Sequence, residues 1–285
     1  MTFRVALRLG RVSNLPTVTS NTLAAIALSG SRAGWPAIAT VCVAMSLLYV
    51  AGMFLNDAFD RDIDAVERPD RPIPAGEVTA LAVFTAGFAL LASGVLAIAG
   101  LAFATGAGWA PVGSVLVLAG LIVFYDMHHK RNRLAPFVMG MCRVAVYTTA
   151  ALATSAPLCR ELLIGCGALL AYLIGLTYVA RQENLSRVTN LWPLLFLGVP
   201  FAITAPPHRH GLFAFFIYVL FALWTLRSLN LIRVRQIRPA VTSLIAGIAL
   251  LDGLFVARLD RPVMAGVAVA AFVLTTVFQR KIPGS

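Results

Sequence analysis

The sequence predicts an all-α fold, a polytopic bundle of about nine to ten helices that cross a membrane. The 285 residues are 59% hydrophobic and only 12% charged, with a mean hydropathy of +0.85, whereas a soluble domain carries about 25% charged residues. The apolar residues form many long continuous runs. The basic residues fall between these runs and concentrate in alternate loops. We therefore expect one integral membrane domain over residues 1–285.

Ten apolar runs are candidate membrane crossings, with boundaries accurate to a few residues. They lie at residues 14–30, 35–56, 79–101, 108–125, 134–155, 161–180, 190–206, 211–229, 239–257 and 262–279. The runs at 14–30, 190–206 and 239–257 are short or interrupted by polar residues, so nine crossings also fit the pattern. Residues 1–13 carry three arginines and suit a basic amphipathic segment on the membrane surface.

The basic residues also predict the orientation. With the N-terminus in the cytoplasm, most of the 23 Lys and Arg residues fall in cytoplasmic segments, as the positive-inside rule requires. This orientation places the acidic segment described below and the loops at 126–133 and 181–189 on the cytoplasmic face. We expect the inner (plasma) membrane of a bacterium.

Charge and cysteine usage exclude two other classes. The net charge of +11 does not indicate nucleic-acid binding, because the arginines are scattered between apolar runs and form no continuous basic face. Cys42, Cys142, Cys159 and Cys166 lie in or beside apolar segments without metal-ligand spacing. We expect four free thiols.

Acidic residues concentrate in the segment 56–78, which reads NDAFDRDIDAVERPDRPIPAGEV and holds seven of the twelve Asp and Glu residues. Asn56, Asp57, Asp60 and Asp64 share one face at helical spacing. Clustered carboxylates repel unless a cation neutralises them, and Mg²⁺ commonly bridges carboxylates to substrate phosphates. We predict that these four residues bind Mg²⁺ and that Asp57 and Asp60 act in catalysis. The alternative is a solvated acidic loop between membrane helices.

Basic side chains near this segment suit phosphate binding. Arg68 and Arg71 offer forked donors that match phosphate oxygens. Lys130 and Arg131 follow the fourth apolar run and are candidates to bind the diphosphate from the opposite side, although Lys and Arg in such positions also set topology. Arg181, in a third polar loop, is a further candidate, and a short solvated turn is the alternative there.

Five more polar residues belong to these two loops. Tyr125 and Asp126 lie where the fourth run meets water, and Glu183 follows Arg181. We predict that Tyr125 contacts substrate, and that Asp126 or Glu183 removes a proton after transfer. His128 and His129 are adjacent and point to different sides of a helix, so we expect neither to be a metal ligand.

Arg143 is unusual because it lies within an apolar run, about 13 Å deep at the rise of ~1.5 Å per residue. Charges at that depth are rare and usually face a cavity or a transport pathway. Asn14 and Asn21 share a helical face with Arg11, and amides in a membrane helix need partners. They either line the same cavity or bond a neighbouring helix. We predict that these four residues bind substrate.

The sequence around Asp252 predicts no functional role. Asp252, Gly253 and Arg258 faintly resemble the phosphatidyl-alcohol transferase signature, but the spacing differs by one residue and the downstream aspartates are missing. We therefore expect no site there.

Taken together, these motifs resemble the UbiA-type intramembrane prenyltransferase family. Its first aspartate-rich motif, NDxxDxxxD, matches residues 56–64 in full. The segments DRPIPAGEV at 70–78 and LGRVSNLPTVTSNTLA at 9–24 are also similar to family segments. The resemblance implies a bundle of about nine helices around a central cavity that opens laterally to lipid. It also implies Mg²⁺-dependent transfer of an isoprenyl group from its diphosphate to a lipophilic acceptor, aromatic or other.

The sequence departs from the family pattern at two places. The usual second aspartate motif, DxxxD, is replaced by YVARQEN, in which Glu183 is the only acid. The YxxxK pattern is approximate, because His129 occupies i+4 from Tyr125 and Lys130 follows at i+5. With fewer carboxylates, a second Mg²⁺ would have to bind through Glu183, Asp126 or water; alternatively, Arg181 supplies that positive charge to the leaving diphosphate. The alternative function is a transporter or binding protein for an isoprenoid or another lipid.

Overall fold

The computed structural model describes residues 1–130, 132–182, 191–205 and 211–282. Over these ranges the chain is helical and contains no strand, which confirms the all-α prediction. The α-helices are α1 (Phe3–Leu9), α2 (Leu15–Leu28), α3 (Trp35–Phe59), α4 (Arg61–Glu67), α5 (Ala80–Thr105), α6 (Ala110–His128), α7 (Ala135–Ala153), α8 (Arg160–Ala180), α9 (Val199–Thr204), α10 (Gly211–Arg233), α11 (Ile237–Ala257) and α12 (Pro262–Gln279). Two 3-10 segments, Val12–Asn14 and Trp192–Gly198, precede α2 and α9.

In the described part of the chain, eight helices are long and apolar enough to cross a membrane: α3, α5, α6, α7, α8, α10, α11 and α12. The protein is therefore an integral membrane protein. The run at 14–30 forms α2, whose 14 residues reach about 21 Å, less than the ~30 Å hydrocarbon core. The run at 190–206 forms a 3-10 segment and the short α9. Over the residues that the structure describes, the ten predicted runs thus appear as eight full-length spans and two shorter apolar segments.

Helix α11 forms the centre of the bundle, although its sequence run at 239–257 looked interrupted. It packs against α2, α8, α10 and α12, and Leu244 and Leu250 are fully buried. A helix that is apolar on all sides is stable when it is surrounded by other helices. By contrast, α5 and α6 expose Leu96, Phe103 and Leu116, which suits the lipid-facing side of the bundle.

Glycines allow α3 and α5 to approach closely. A Cβ atom at Gly94 would lie 2.7 Å from Leu48 Cγ, and one at Gly87 would lie 2.9 Å from Leu55 Cδ2. Small residues at helix contacts are the usual means of close packing in membranes. This contact fixes α3, whose C-terminal end carries the acidic motif.

The acidic motif lies on two successive helices, and Asp57 and Asp64 still lie on one side, because Arg71 contacts both. Helix α3 ends at Phe59, Asp60 stands between the helices, and α4 begins at Arg61. The chain then returns through turns to α5. In that return loop the Glu77 N–H donates to Pro72 O over 2.9 Å.

The N-terminal segment holds this return loop in place. Val5 and Leu9 of α1 are buried against Phe54 of α3 and Val78 of the loop. Arg8 Nη1 lies 2.7 Å from Glu77 Oε1, and Arg8 Nη2 donates to the Asp70 carbonyl. The loop that carries the predicted phosphate-binding arginines is therefore fixed at both its ends.

Candidate active site

A cavity of about 400 Å³ opens where α3, α6 and α8 end. Charged residues line it where these helices end, and most of the remaining lining is apolar, apart from residues such as Tyr49 and Arg143. The polar lining is Arg11, Asn14, Tyr49, Asn56, Asp60, Glu67, Arg68, Arg71, Tyr125, His129, Lys130, Arg143, Thr177 and Arg181; the apolar lining is Met53, Met139, Leu173, Leu176, Ala180, Val241, Ile245 and Ile248. Most of the predicted site residues thus meet in one cavity.

Two arginines of the cavity lining hold carboxylates that are not themselves part of the lining. Arg71 Nη1 lies 3.0 Å from Asp57 Oδ1 and 2.6 Å from Asp64 Oδ2. Arg11 Nη2 lies 3.0 Å from the same Asp57 oxygen. Both carboxylates are buried. Burial raises the pKa of Asp64 above its ordinary value, although Arg71 opposes the shift.

Asp60 joins the acidic segment to the end of α6. Its Oδ2 atom lies 3.3 Å from Lys130 Nζ and 3.4 Å from His129 Nε2. Burial alone would raise the pKa of Asp60, but the hydrogen bonds and charges of His129 and Lys130 outweigh it and lower the pKa. The Tyr125 ring stacks on His129 with centroids 4.9 Å apart. Lys130 and Tyr125 thus lie where the sequence placed them, beside the acidic segment.

The donor set of this segment fits Mg²⁺. Among the described residues, no three or more His, Cys, Asp or Glu side chains surround a single point. Asp64 Oδ1 and Asp126 Oδ2 are nevertheless buried without a hydrogen-bond partner in this part of the chain, which is costly for a carboxylate. Oxygen ligands from one or two carboxylates are what Mg²⁺ takes from proteins, with substrate phosphates supplying others. Asn56, beside them, donates through Nδ2 to Asp126 Oδ1 over 3.3 Å.

An apolar chamber of about 80 Å³ adjoins the main cavity. The two share Tyr49, Met53, Tyr125, Met139 and Arg143. The chamber is otherwise lined mainly by aliphatic side chains such as Leu118. The charged part of the main cavity and the mainly apolar chamber therefore adjoin each other.

Arg143 faces both spaces from α7. Its Nη1 donates to Asn21 Oδ1 over 2.6 Å and its Nη2 to Thr17 Oγ1 over 3.4 Å. Asn21 is fully buried and is not part of the cavity lining. Its amide donates to both oxygens of Asp252, at 2.9 Å and 2.8 Å. Asn21 therefore bonds neighbouring helices and lies behind the cavity wall, which corrects its prediction as a substrate contact.

The other predicted residues are distributed as follows. Asn14 lines the cavity and accepts a hydrogen bond from Gln279 Nε2 over 2.9 Å. Arg68 and Arg181 also line it. Arg131 and Glu183 lie outside the described residues.

Sequence reasoning missed three residues of this region. His129, which was predicted not to be a metal ligand and was given no other role, faces Asp60. Its spacing of four residues from Tyr125 would have placed the two rings on one helical face. Tyr49 lines both spaces, and its spacing of two helical turns from Asn56 could have placed it on the same face of the helix. No residue close to Asp252 in the sequence indicates its contacts.

Comparison with known proteins supports this description. The model of the UbiA prenyltransferase family matches residues 15–281. A digeranylgeranylglyceryl phosphate synthase from Natronomonas pharaonis is 35% identical over 116 residues, 40% of each chain. A second, from Methanothrix thermoacetophila, is 50% identical over 58 residues, 20% of this chain and 21% of that protein. The chloroplast chlorophyll synthase of Arabidopsis thaliana is 31% identical over 128 residues, 43% of this chain and 33% of that one. These matched stretches span less than half of each relative's length.

Two solved structures share the fold over nearly the whole chain. A UbiA homologue from Aeropyrum pernix K1 superposes with a TM-score of 0.52 at 17% identity, covering 93% of this chain and 97% of that one. A UbiA homologue from Archaeoglobus fulgidus, bound to GPP and Mg²⁺, superposes with a TM-score of 0.55 at 12% identity, covering 96% and 99%. The family match, which takes in nearly all of the sequence, and the common fold lead to one conclusion: the chain belongs to the UbiA prenyltransferase family.

Proposed function

We propose that this protein is a prenyltransferase that uses Mg²⁺ to transfer an isoprenyl group from a prenyl diphosphate to a lipophilic acceptor. One observation carries the proposal. Asp60, Glu67 and several cations line one end of a cavity that adjoins a largely apolar chamber, so an amphiphilic diphosphate matches it at both ends. The similarity to a structure bound to GPP and Mg²⁺ supports the same substrate class.

In this proposal Asn56, Asp57, Asp60 and Asp64 hold the metal. Bound Mg²⁺ would neutralise the diphosphate and stabilise its charge as the allylic C–O bond breaks. Asp57 and Asp64 are buried and their oxygens are held by arginines. The protein thereby fixes the positions of the carboxylates before substrate arrives.

Cations on three sides of the mouth bind the diphosphate oxygens. Arg68 and Arg71 come from the return loop, Lys130 from the end of α6, and Arg181 from the end of α8. Arg11 completes the ring beside Asp57. Preorganised cations favour ionisation because they stabilise the charge that develops on the leaving diphosphate.

The apolar interior holds the prenyl chain and keeps water from the reacting carbon. When the C–O bond breaks, the nucleophilic atom of the acceptor bonds to that carbon and loses its proton. Asp126 is our candidate to take the proton, because its Oδ2 atom has no hydrogen-bond partner in the described ranges and the residue lines the chamber.

We also propose that the membrane is the inner membrane of a bacterium and that the cavity mouth faces the cytoplasm. The excess of Lys and Arg in the segments on that side supports the cytoplasmic mouth.

The test is release of diphosphate by the purified protein in lipid vesicles, with and without Mg²⁺. The substrates are C10 to C20 prenyl diphosphates with a panel of phenolic, quinone and alcohol acceptors. We expect release that needs both the metal and an acceptor. Transport of the prenyl lipid across the vesicle without diphosphate release, independent of metal, would contradict the proposal and favour the transporter alternative.

A further inference from the structure

The hairpin of α10 and α11 carries positive charge on its surface that its own acidic residues do not offset. Arg227, Arg233 and Arg235 are exposed. The only Asp or Glu between residues 211 and 257 is Asp252, which is fully buried. None of the three arginines forms a salt bridge with a residue that the structure describes. The outer surface of this hairpin therefore attracts anions.

The arginines lie on the side of the membrane where the acidic segment lies. Gln279, at the end of α12, bonds Asn14, which lines the cavity. The spans α10, α11 and α12 are joined by turns of three and four residues, so they alternate in direction, and α10 also ends on this side. Arg233 is the last residue of α10 and Arg235 follows in the turn. Arginines at a span end are explained as topology determinants, so these two alone indicate no ligand.

Arg227 differs because it lies within the span and is held there. It precedes the end of α10 by six residues, and Ser243 follows the start of α11 by six, which is about 9 Å along each helix. Arg227 Nη1 donates to Ser243 Oγ over 3.0 Å, and its Cζ lies 4.8 Å from the centroid of the Trp224 ring. Trp224 is nearly one turn deeper in the membrane. An arginine near a span end normally extends toward water, whereas these contacts direct the guanidinium inward.

The partners of Arg227 are themselves fixed by neighbouring helices. Trp224 Nε1 donates to Ser243 O over 2.7 Å, and the Trp224 ring packs edge-on against Phe272 of α12 with centroids 4.7 Å apart. Ser228 donates to Ser243 Oγ over 2.8 Å. Three helices thus hold the guanidinium in place, so an anion that binds it orders little additional side-chain freedom.

Most donors of Arg227 face the lipid side of the bundle. A guanidinium has five N–H groups, and in the described part of the chain one of them makes a hydrogen bond. The residue is exposed and belongs to the lining of neither cavity space. A charge held at this depth in lipid is stabilised by local thinning of the bilayer and by water. Thinning brings headgroup phosphates toward the charge, and phosphate matches the forked donors of arginine.

The same face of α10 continues from polar to apolar toward the membrane centre. Phe216, Leu220 and Leu223 precede Arg227 at alternating spacings of four and three residues, and Asn230 follows it by three, so all five share one helical face. The three apolar side chains are 65%, 37% and 60% exposed, and Asn230 is also exposed. Helix α10 packs mainly on α11, which leaves this face to lipid. Polar donors above an apolar strip reproduce the order of groups in a phospholipid.

We propose that this face of α10 binds an anionic phospholipid from the leaflet on the side of the acidic segment. Its phosphate lies against Arg227 and Asn230, and an acyl chain follows Leu223 and Phe216. Arg233 and the neighbouring turn supply the further positive charge that favours an anionic over a zwitterionic headgroup. The site lies on the outside of the bundle, so it does not depend on the proposed reaction.

Trp224 can report on this site directly. The chain has four tryptophans, and the other three, Trp35, Trp109 and Trp192, are exposed and can be replaced by phenylalanine. The single-tryptophan protein is placed in vesicles of phosphatidylcholine and phosphatidylglycerol with matched acyl chains, of which one or the other is brominated. Quenching of Trp224 then gives the relative affinity of the two lipids. We expect a preference of roughly 5- to 30-fold for phosphatidylglycerol, since each arginine near an anionic lipid contributes about fivefold.

Variants of the single-tryptophan protein assign the preference to residues. Arg227→Gln should lower it about fivefold, the contribution of one arginine. Arg4→Gln is the matched control, because it makes the same change in an exposed arginine of α1, outside the hairpin. Asn230→Leu changes an exposed position to a residue that lipid tolerates, leaves the contacts of Arg227 in place, and should also lower the preference. It serves if Arg227→Gln does not fold.

Three results would overturn the proposal. The first is equal quenching of Trp224 by the two brominated lipids in the parent protein. The second is a preference that Arg227→Gln and Asn230→Leu both leave unchanged, or that Arg4→Gln lowers equally, because the attraction would then belong to the whole basic side of the protein. The third is a preference that inorganic phosphate abolishes while chloride at the same ionic strength does not, which would assign the site to free phosphate.

Discussion

Asp60 is the residue at which the acidic segment and the basic end of α6 meet. Its contacts with Lys130 and His129 connect two segments that are about 70 residues apart in sequence. Both neighbours lower the pKa of Asp60, so the carboxylate stays ionised at neutral pH, the state in which it can bind a metal.

We predict that Asp60→Asn abolishes Mg²⁺-dependent diphosphate release while the protein still folds, because the change removes a charged oxygen ligand but little volume. Asp62→Asn is the matched control. It makes the same change in an exposed residue of the same segment, whose contact is an ion pair with Arg61. Release is measured in vesicles, and full activity of Asp60→Asn would refute the role of the motif.

Arg71 stabilises the folded protein because it neutralises two buried carboxylates. Removing it leaves Asp57 without one of its two arginines and Asp64 without its ion pair. Breaking a buried pair by deleting one partner costs about 3–5 kcal/mol. We predict that Arg71→Met lowers the unfolding temperature clearly in metal-free detergent solution. Arg61→Met should change it little, since that arginine is paired with an exposed aspartate; equal stability of the two variants would contradict this account.

At the scale of the element, the long helices are predictable and their interruptions are not. Continuous apolar runs identified eight spans, because a segment that crosses the hydrocarbon core must be apolar and must satisfy its own backbone hydrogen bonds. The break between α3 and α4 at Asp60 occurs without proline or glycine, where propensity is a weak guide. The hydrogen bonds of the buried Asp252 could not be predicted from the sequence either. Its partners Ser20 and Tyr147 are 232 and 105 residues away in sequence, so only the packing of α2, α7 and α11 brings them together.

The contact between α3 and α5 gives a prediction at this scale. A Cβ at Gly94 would meet Leu48 Cγ at 2.7 Å and Ala44 O at 3.1 Å, whereas one at Gly100 on the same helix would meet nothing within 4 Å. We expect Gly94→Ala to destabilise the protein by about 1–3 kcal/mol, the usual cost of overpacking. Gly100→Ala should be neutral or slightly stabilising. Thermal unfolding in detergent compares them, and equal unfolding temperatures would contradict the packing.

For the whole molecule, both ends of the described chain lie at the cavity mouth. Gln279, the last residue of α12, bonds Asn14, and α1 packs on the return loop. The basic residues of the sequence predicted the face of the bundle at which the cavity opens. The depth of the cavity could not be predicted, because it depends on the packing of helices that are distant in sequence.

The orientation can be tested in a variant without the four native cysteines. We predict that a membrane-impermeant maleimide added to spheroplasts labels Thr105→Cys, at the far end of α5, and not Asp62→Cys, beside the acidic motif. Both positions are exposed and should react once the membrane is permeabilised. The opposite pattern would place the cavity mouth outside the cell.

The most direct test of the central claim is a crystal structure with Mg²⁺ and geranyl thiolodiphosphate, an unreactive substrate analogue. The account predicts metal on the oxygens of Asp57, Asp60 or Asp64, and diphosphate against Arg68, Arg71 and Lys130. The geranyl chain should extend past Met53 and Met139 into the interior. Diphosphate and metal bound elsewhere, with Asp57 and Asp64 still held only by arginines, would contradict it.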